Sequence, residues 1–325
     1  MNVVRILCGP TACGKSAVVL YLAQKLGAEV LSIDSMKIYR GLDIGTAKPA
    51  PGVLARTAHH LISIREPWES FSVAEFLRAA EAVIADCAAR RVPLIGDGGT
   101  ALYLKALSEG LFAGPGRDMK LRAALEAEAA ESGVPKLHER LAKIDPDAAR
   151  KILPSDLRRT VRALEVHVLT GVPISRWQSQ WGMPRSDLDV RLACLRLPRA
   201  VLYERIDRRV DAMLAAGWLD ECRRLLALPH PLSREALQAL GYSTLFKHLR
   251  GEMSFEAARE RICFDTHHFA RRQLGWFRRL PKLAFVDVAP DEIPDRIAER
   301  VLAAWEGARQ ATEDTERQRR MNDEG

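Results

Sequence analysis

Gly9-Pro10-Thr11-Ala12-Cys13-Gly14-Lys15-Ser16 fills the spacing G-x-x-x-x-G-K-[ST]. Backbone N–H groups in such a loop turn inward and cradle phosphate oxygens. Lys15 adds a mobile charge for an outer phosphate, and the Ser16 hydroxyl is placed to ligate Mg²⁺. A second chemical group closes the next apolar run: VLSID at 30–34 ends in Asp34, followed by Ser35. A carboxylate beside a phosphate loop suits a general base and a magnesium ligand alike. Lys37, Tyr39, Arg40 and Lys48 fall in an aperiodic stretch, 36–51, of a length usual for functional loops. His59 and His60 are adjacent on an extended segment, so they point to opposite faces and make a poor chelating pair. Further along, Arg158 and Arg162 lie one helical turn apart with Arg159 beside them, a plausible phosphate-contacting ridge or a solvated face. Arg272, Trp276 and Arg279 share a helix face at i, i+4 and i+7, an arrangement open to nucleic-acid stacking or to core packing with outward arginines.

The elements that must hold these groups alternate. An apolar strand runs into the phosphate loop, and a helix over about 15–26 adds the positive end of its dipole. Strand 30–34 follows, then a helix over 73–91, a strand over 92–96 with the turn Asp97-Gly98-Gly99-Thr100 at its end, and a helix over 101–108. Ligands of open α/β sheets bind beyond the carboxyl ends of the strands, which places Asp34 and the 97–100 turn in one crevice. From about 117 to 180 only helical patterning remains, including a helix over 155–170 with Ser155 as its N-cap. Strands return at 190–197 and 283–288, with helices at 198–249, 255–280 and 291–305. These elements predict an α/β protein: a P-loop NTPase-like core with a parallel sheet flanked by helices, over 1–114 and 185–306, an inserted all-helical domain over 115–184, and a disordered polar tail over 307–325.

The chain has 325 residues, 47 % hydrophobic, enough for one large domain or two ordinary ones. A formal charge of +7 suits a polyanionic partner. The six cysteines occur without any C-x-x-C pair, which argues against a zinc knuckle or a disulfide framework and fits the reducing cytoplasm. No signal peptide and no membrane-spanning apolar run is evident. On phosphate loop and charge alone, a small-molecule kinase, a prenyl transferase and an RNA-binding P-loop NTPase all remain open.

Six blocks narrow this: GPTACGKS at 9–16, SIDSMKIYRGLDIGTAKP at 32–49, HHLI at 59–62, GGTALYLKALSEGL at 98–111, RALEV at 162–166 and RRQLGWFRR at 271–279. Together and in this order, they resemble the tRNA dimethylallyltransferase (tRNA isopentenyltransferase) family from about residue 3 to 306. The resemblance implies transfer of the dimethylallyl group of dimethylallyl diphosphate to N6 of the adenosine 3′ of the anticodon, in tRNAs reading codons beginning with U. It implies Mg²⁺ as cofactor, the tRNA anticodon stem-loop as partner, no protein or membrane partner, and a monomer. By the resemblance Gly9 to Ser16 and Arg209 hold the diphosphate, with Ser16 on the metal. Asp34 matches the general base, and Asp34, Ser35, Met36, Lys37, Thr100, Arg158, Arg159, Thr160, Val161, Arg162 and Arg272 fall where the family meets tRNA. The rivals become an adenylate isopentenyltransferase, the kinase and the NTPase. Lys37 stands where glutamine is common, Ser63 where aspartate follows HHLI, and Gly241-Tyr242-Ser243 lacks a basic residue often found after G-Y. The 95–100 segment is one residue longer than the usual V-G-G-T, leaving Asp97 without a counterpart.

Overall fold

The computed structural model describes residues 2–111, 114–179, 185 and 187–307. From 308 on, the expected tail lies outside them. By its contacts the chain forms two compact units, 1–108 with 186–325, and 109–185.

The first unit is built on six strands: β1 (Asn2–Cys8), β2 (Glu29–Ile33), β3 (His59–His60), β4 (Leu94–Gly98), β5 (Leu188–Arg196) and β6 (Ala284–Asp287). Their order is β3-β2-β4-β1-β5-β6, and every pairing is parallel. Helices cover a parallel sheet on both faces, so its central strands are largely apolar, as VVRILC in β1 is apart from Arg5. Ile6 and Leu7 are fully buried, and the Trp305 indole N–H, on the helix over 294–307, donates to the Ile6 carbonyl at 3.1 Å. From β1 the chain crosses to β2 on one side, and from β4 it crosses back to β5 on the other. The crevice at the carboxyl end of β1 is therefore the topological switch point.

Two boundaries differ from the sequence reading in a way that matters. Strand β4 continues through Asp97 and Gly98, which stand opposite Leu7 and Cys8 of β1 and Ser32 and Ile33 of β2. Asp97 is thus a sheet residue and not part of a turn, because neighbours on both sides complete its backbone ladder. The stretch expected as a loop from 36 to 51 is laced to 63–65: Ser63 N–H donates to Lys37 O at 3.0 Å, Arg40 N–H to Arg65 O at 2.8 Å, and Tyr39 and Arg65 form a parallel bridge.

Among the described residues the second unit is all helical, with helices Met119–Ser132, Val134–Ile144, Pro146–Ala149, Leu157–Thr170 and Ile174–Gln178 around Leu125, Leu137, Leu141, Leu164 and Val166. The N-cap of Leu157–Thr170 is Asp156, not Ser155: the Asp156 side chain accepts from the Arg159 N–H at 3.0 Å. Both side chains can cap, and the longer carboxylate one residue later reaches the N3 amide.

Candidate active site

Gly14 ends the phosphate loop with φ +92°, a left-handed conformation that glycine adopts without penalty, and so starts the helix Lys15–Leu26. The first N–H groups of that helix have no partner within it. Cys13 is buried beneath the loop, and Lys15 Nζ folds back onto Pro10 O at 3.3 Å. Burial works to lower the Lys15 pKa, but Cys13 and the Asp97 charge outweigh it, so the ammonium is held above its ordinary range. Gln273 clamps the loop to the end of β4: it accepts from Thr11 N–H at 3.0 Å and donates to Gly99 O at 2.9 Å. The Thr11 amide is therefore committed to Gln273, while Thr11 lines the cavity.

Behind the loop lies Asp97, 7 % exposed. Its Oδ2 accepts from Ser16 Oγ at 3.1 Å and stands 3.6 Å from Lys37 Nζ, while Oδ1 is buried without a hydrogen-bond partner. Burial pushes its pKa up, but Lys37, Lys15 and the Ser16 hydroxyl hold it below the usual carboxylate range. An exposed serine hydroxyl backed by this anion is an oxygen-only donor set of the kind Mg²⁺ prefers.

Asp34, just past β2, is oriented by its own turn: Oδ1 accepts from the N–H groups of Met36 at 2.8 Å and Lys37 at 3.3 Å. Thr100 Oγ1 accepts from Ser35 N–H at 3.1 Å and ties that turn to the end of β4. Arg209, on the helix Arg199–Ala215, makes no hydrogen bond or ion pair to another described residue and lines the same cavity as Asp34 and Lys15. Burial lowers the pKa of its guanidinium against the opposing pull of Asp34, Cys13 and Asp97. The cavity holds about 560 Å³, within the size usual for a small-molecule site. Ile206, Val210 and Met213 give it an apolar wall beside Arg209.

A buried anchor positions the rim. Glu221, 2 % exposed, accepts from the N–H groups of Asp43, Ile44 and Gly45 at 2.9, 2.8 and 3.3 Å, and from Tyr242 OH at 2.6 Å. Trp218 packs so closely on Gly45 and Gly241 that a Cβ at either would overlap its ring. Lys48 is held by Asp43 at 2.6 Å, Ser63 Oγ at 2.9 Å and the Tyr39 carbonyl. Ser63 thus takes a share of the lysine whose charge Asp43 balances. Gln273, Glu221 and Asp97 carry no assigned role in the sequence reading. Of the three, Asp97 alone gives a local sign, as a charge in an apolar run.

The phosphate loop, Asp34 to Lys37, Asp97, Thr100, Arg209 and Arg272 thus meet in the first unit. Lys37 is 9 % exposed and paired with Asp97, so its ammonium faces the protein. In the second unit Thr160 and Val161, expected among the tRNA-contacting positions, have buried side chains at 0 and 2 % exposure, and Val161 belongs to the helical core. Arg162 donates to Glu165 at 2.6 Å and to the carbonyls of Pro115 and Gly116. Burial would raise the Glu165 pKa, but Arg122, Arg162 and the Asp118 N–H bring it down to about 2. Arg158 and Arg159 are exposed. Trp276 is 40 % exposed and so is not a core residue. His59 and His60 diverge, to Thr57 O at 2.8 Å and Glu29 at 2.6 Å. Glu29, His60 and Cys87 cluster, but Arg90 already holds both Glu29 oxygens, at 2.7 and 2.8 Å. No helix among the described residues is long and apolar enough to cross a membrane.

The sequence profile described as IPP transferase matches residues 37–280. A tRNA dimethylallyltransferase of Symbiobacterium thermophilum is 47 % identical over 300 residues, 91 % of this chain and 93 % of that protein. The full-length tRNA isopentenylpyrophosphate transferase of Bacillus halodurans is 35 % identical, with a TM-score of 0.69 covering 96 % of this chain and all of that one. A eukaryotic dimethylallyltransferase acting on tRNA is 26 % identical, with a TM-score of 0.76 covering 88 % of this chain and 74 % of its own.

Proposed function

The chain belongs to the IPP transferase family, and we propose that it moves the dimethylallyl group of dimethylallyl diphosphate onto N6 of the adenosine 3′ of the anticodon, in tRNAs reading codons beginning with U. Diphosphate is the second product. The observation that carries this reading is that one cavity holds both halves of the chemistry. A phosphate loop and Arg209, which has no hydrogen bond or ion pair among the described residues, lie with the carboxylate of Asp34, which its own turn holds in place.

The exocyclic amine of adenine is a poor nucleophile, because its lone pair is delocalised into the ring. Attack on the allylic carbon needs a leaving group whose growing charge is stabilised and a base that removes the proton. The free N–H groups at the start of the 15–26 helix, Lys15 and Arg209 stabilise the departing diphosphate. Ser16 would hold a Mg²⁺, which when bound neutralises diphosphate charge. Ile206, Val210 and Met213 give the prenyl tail an apolar wall beside Arg209. Asp34 accepts the proton from N6. Thr100 and Gln273 act by position, holding the Asp34 turn and the phosphate loop against the end of β4. An adenine stacked in an anticodon loop cannot enter a cavity of this kind, so the base flips out to react. Exposed Arg158 and Arg159 of the helical unit, with Arg272 at the cavity, meet the tRNA backbone. The reaction belongs in the cytoplasm, where tRNA is found and where the six buried cysteines stay free thiols.

The test is mass spectrometry of nucleosides from an unmodified tRNA bearing adenosine 3′ of the anticodon, after incubation with the protein, Mg²⁺ and dimethylallyl diphosphate. One added dimethylallyl group on that adenosine is expected. No addition, with folded protein and intact substrates, overturns the reading. Prenylation of free AMP but not of tRNA would identify an adenylate isopentenyltransferase, and RNA-stimulated ATP hydrolysis a P-loop NTPase.

A further inference from the structure

Asp97 is a buried carboxylate that the reaction as described does not use. It lies on β4, beside β1, and directly behind the phosphate loop. Its two oxygens have different surroundings. Oδ2 accepts from the Ser16 hydroxyl at 3.1 Å and stands 3.6 Å from Lys37 Nζ. Oδ1 is buried without a partner, and the residue lines the cavity. A buried acceptor left unsatisfied is costly, so an unpaired carboxylate oxygen beside a cavity calls for a donor or a cation supplied from that cavity. The bond on Oδ2 also has a consequence for Ser16: with its proton directed to Asp97, the hydroxyl presents its lone pairs to the cavity, the orientation a cation ligand needs. In P-loop enzymes that hold Mg²⁺, the loop serine or threonine and an acidic residue at a strand end form the site together.

We propose that Asp97 is a magnesium-site residue, in which Oδ2 orients the Ser16 hydroxyl and the unpartnered Oδ1 serves the shell of a divalent cation bound beside the phosphate loop. This rests on the use of Mg²⁺ in the reaction proposed above. Lys37 acts as the internal counter-ion: it balances Asp97 while the cation is absent and opposes the cation when it arrives. Asp34 is bonded differently: its Oδ1 accepts from the Met36 and Lys37 amides, and Ser16 is turned toward Asp97. The two carboxylates therefore divide the work, Asp97 toward the cation and Asp34 toward the base.

The test uses Mn²⁺ as a paramagnetic probe, titrated into the full-length protein with inorganic diphosphate present, with free Mn²⁺ read by electron paramagnetic resonance. This readout needs neither tRNA nor prenyl transfer, so it can fail while the reaction stands, or hold while the reaction fails. Asp97→Asn is expected to weaken Mn²⁺ binding about 10- to 100-fold, the usual loss when a partner of a metal ligand is removed. The double variant Lys37→Gln/Asp97→Asn separates this role from mere pairing with Lys37. It is expected to stay weaker than native, regaining only the several-fold that loss of the Lys37 charge gives, whereas recovery to native affinity would reduce Asp97 to a structural counter-ion and overturn the proposal. Lys37→Gln alone, which keeps the carboxylate, is expected to tighten Mn²⁺ binding several-fold. It decides the matter if thermal melting shows that the Asp97 variants do not fold. Native Mn²⁺ affinity in folded Asp97→Asn, or no gain in Lys37→Gln, would equally overturn it.

Discussion

Asp34 accepts through Oδ1 from two amides of its own turn, whereas Asp97 receives a hydroxyl and faces an ammonium on Oδ2. Backbone bonds fix the direction of a carboxylate without supplying a counter-charge at the atom that must take a proton. A buried ion pair does the opposite, holding Asp97 ionised and making it a weak base. Asp34→Asn keeps an Oδ1 acceptor for the Met36 and Lys37 amides, so the turn is expected to survive while the base is lost. Turnover should fall about 10²- to 10⁴-fold, the usual range for a general base. Pre-steady-state rates and tRNA binding check this: the chemical step slows, the dissociation constant for tRNA is unchanged, and the Mg²⁺ concentration giving half-maximal rate does not move. A shift in that Mg²⁺ requirement would instead make Asp34 a metal ligand, and near-native turnover would remove it from the mechanism.

Between residue and molecule, the segment 36–51 shows how an aperiodic sequence becomes a defined element. Glu221, on the helix Trp218–Leu226, gathers three successive N–H groups of that segment and the Tyr242 hydroxyl. The Tyr242 pKa is driven far above its ordinary value by burial and by the Glu221 charge, so the hydroxyl remains a donor at any working pH. Glu221→Ala leaves these donors without their acceptor and is expected to cost about 1–3 kcal/mol or more, read as a lowered melting temperature. It should raise KM for both substrates more than it lowers kcat. Tyr242→Phe removes one bond of the set and should cost about 1 kcal/mol. An unchanged melting temperature in Glu221→Ala would mean that the contacts to 63–65 hold the segment unaided. The same element marks the limit of what the sequence discloses. The phosphate loop, the strand before Asp34 and the helix read at 73–91 are local patterns, each readable within about twenty residues. The clamp at Gln273 reaches Thr11 across 262 residues, the Ser16–Asp97 bond spans 81, and Glu221 reaches Asp43 across 178. Nothing in the neighbourhood of those side chains announces their partners. The capping of 157–170 failed for the opposite reason, since Ser155 and Asp156 are both good caps and only geometry chooses between them.

At the scale of the whole chain, the excess of +7 predicts attraction to a polyanion but does not say which arginines deliver it. The helical unit separates two kinds that look alike along one helix. Arg162 is 28 % exposed at its side chain and holds the fully buried Glu165 at 2.6 Å together with two carbonyls, so its charge serves the fold of the unit. Arg159 is 62 % exposed and stands 3.5 Å from Asp156, a surface pair of small net worth that an RNA phosphate can displace. Each phosphate neutralised by a protein cation releases condensed counter-ions, so the loss of one such contact lowers the slope of log K against log salt by about 0.7–0.9. Arg159→Ala is therefore expected to flatten the salt dependence of tRNA binding by that amount and to leave the melting temperature unchanged. Arg162→Ala is expected to leave the slope alone and to lower stability by about 2 kcal/mol, because a charge-assisted bond to a buried carboxylate disappears. Filter binding over a salt series, with thermal melting of the same preparations, checks both variants together. A flattened slope in Arg162→Ala with native stability would move Arg162 to the RNA-facing group, and an unchanged slope in Arg159→Ala would leave that exposed arginine outside the tRNA contact.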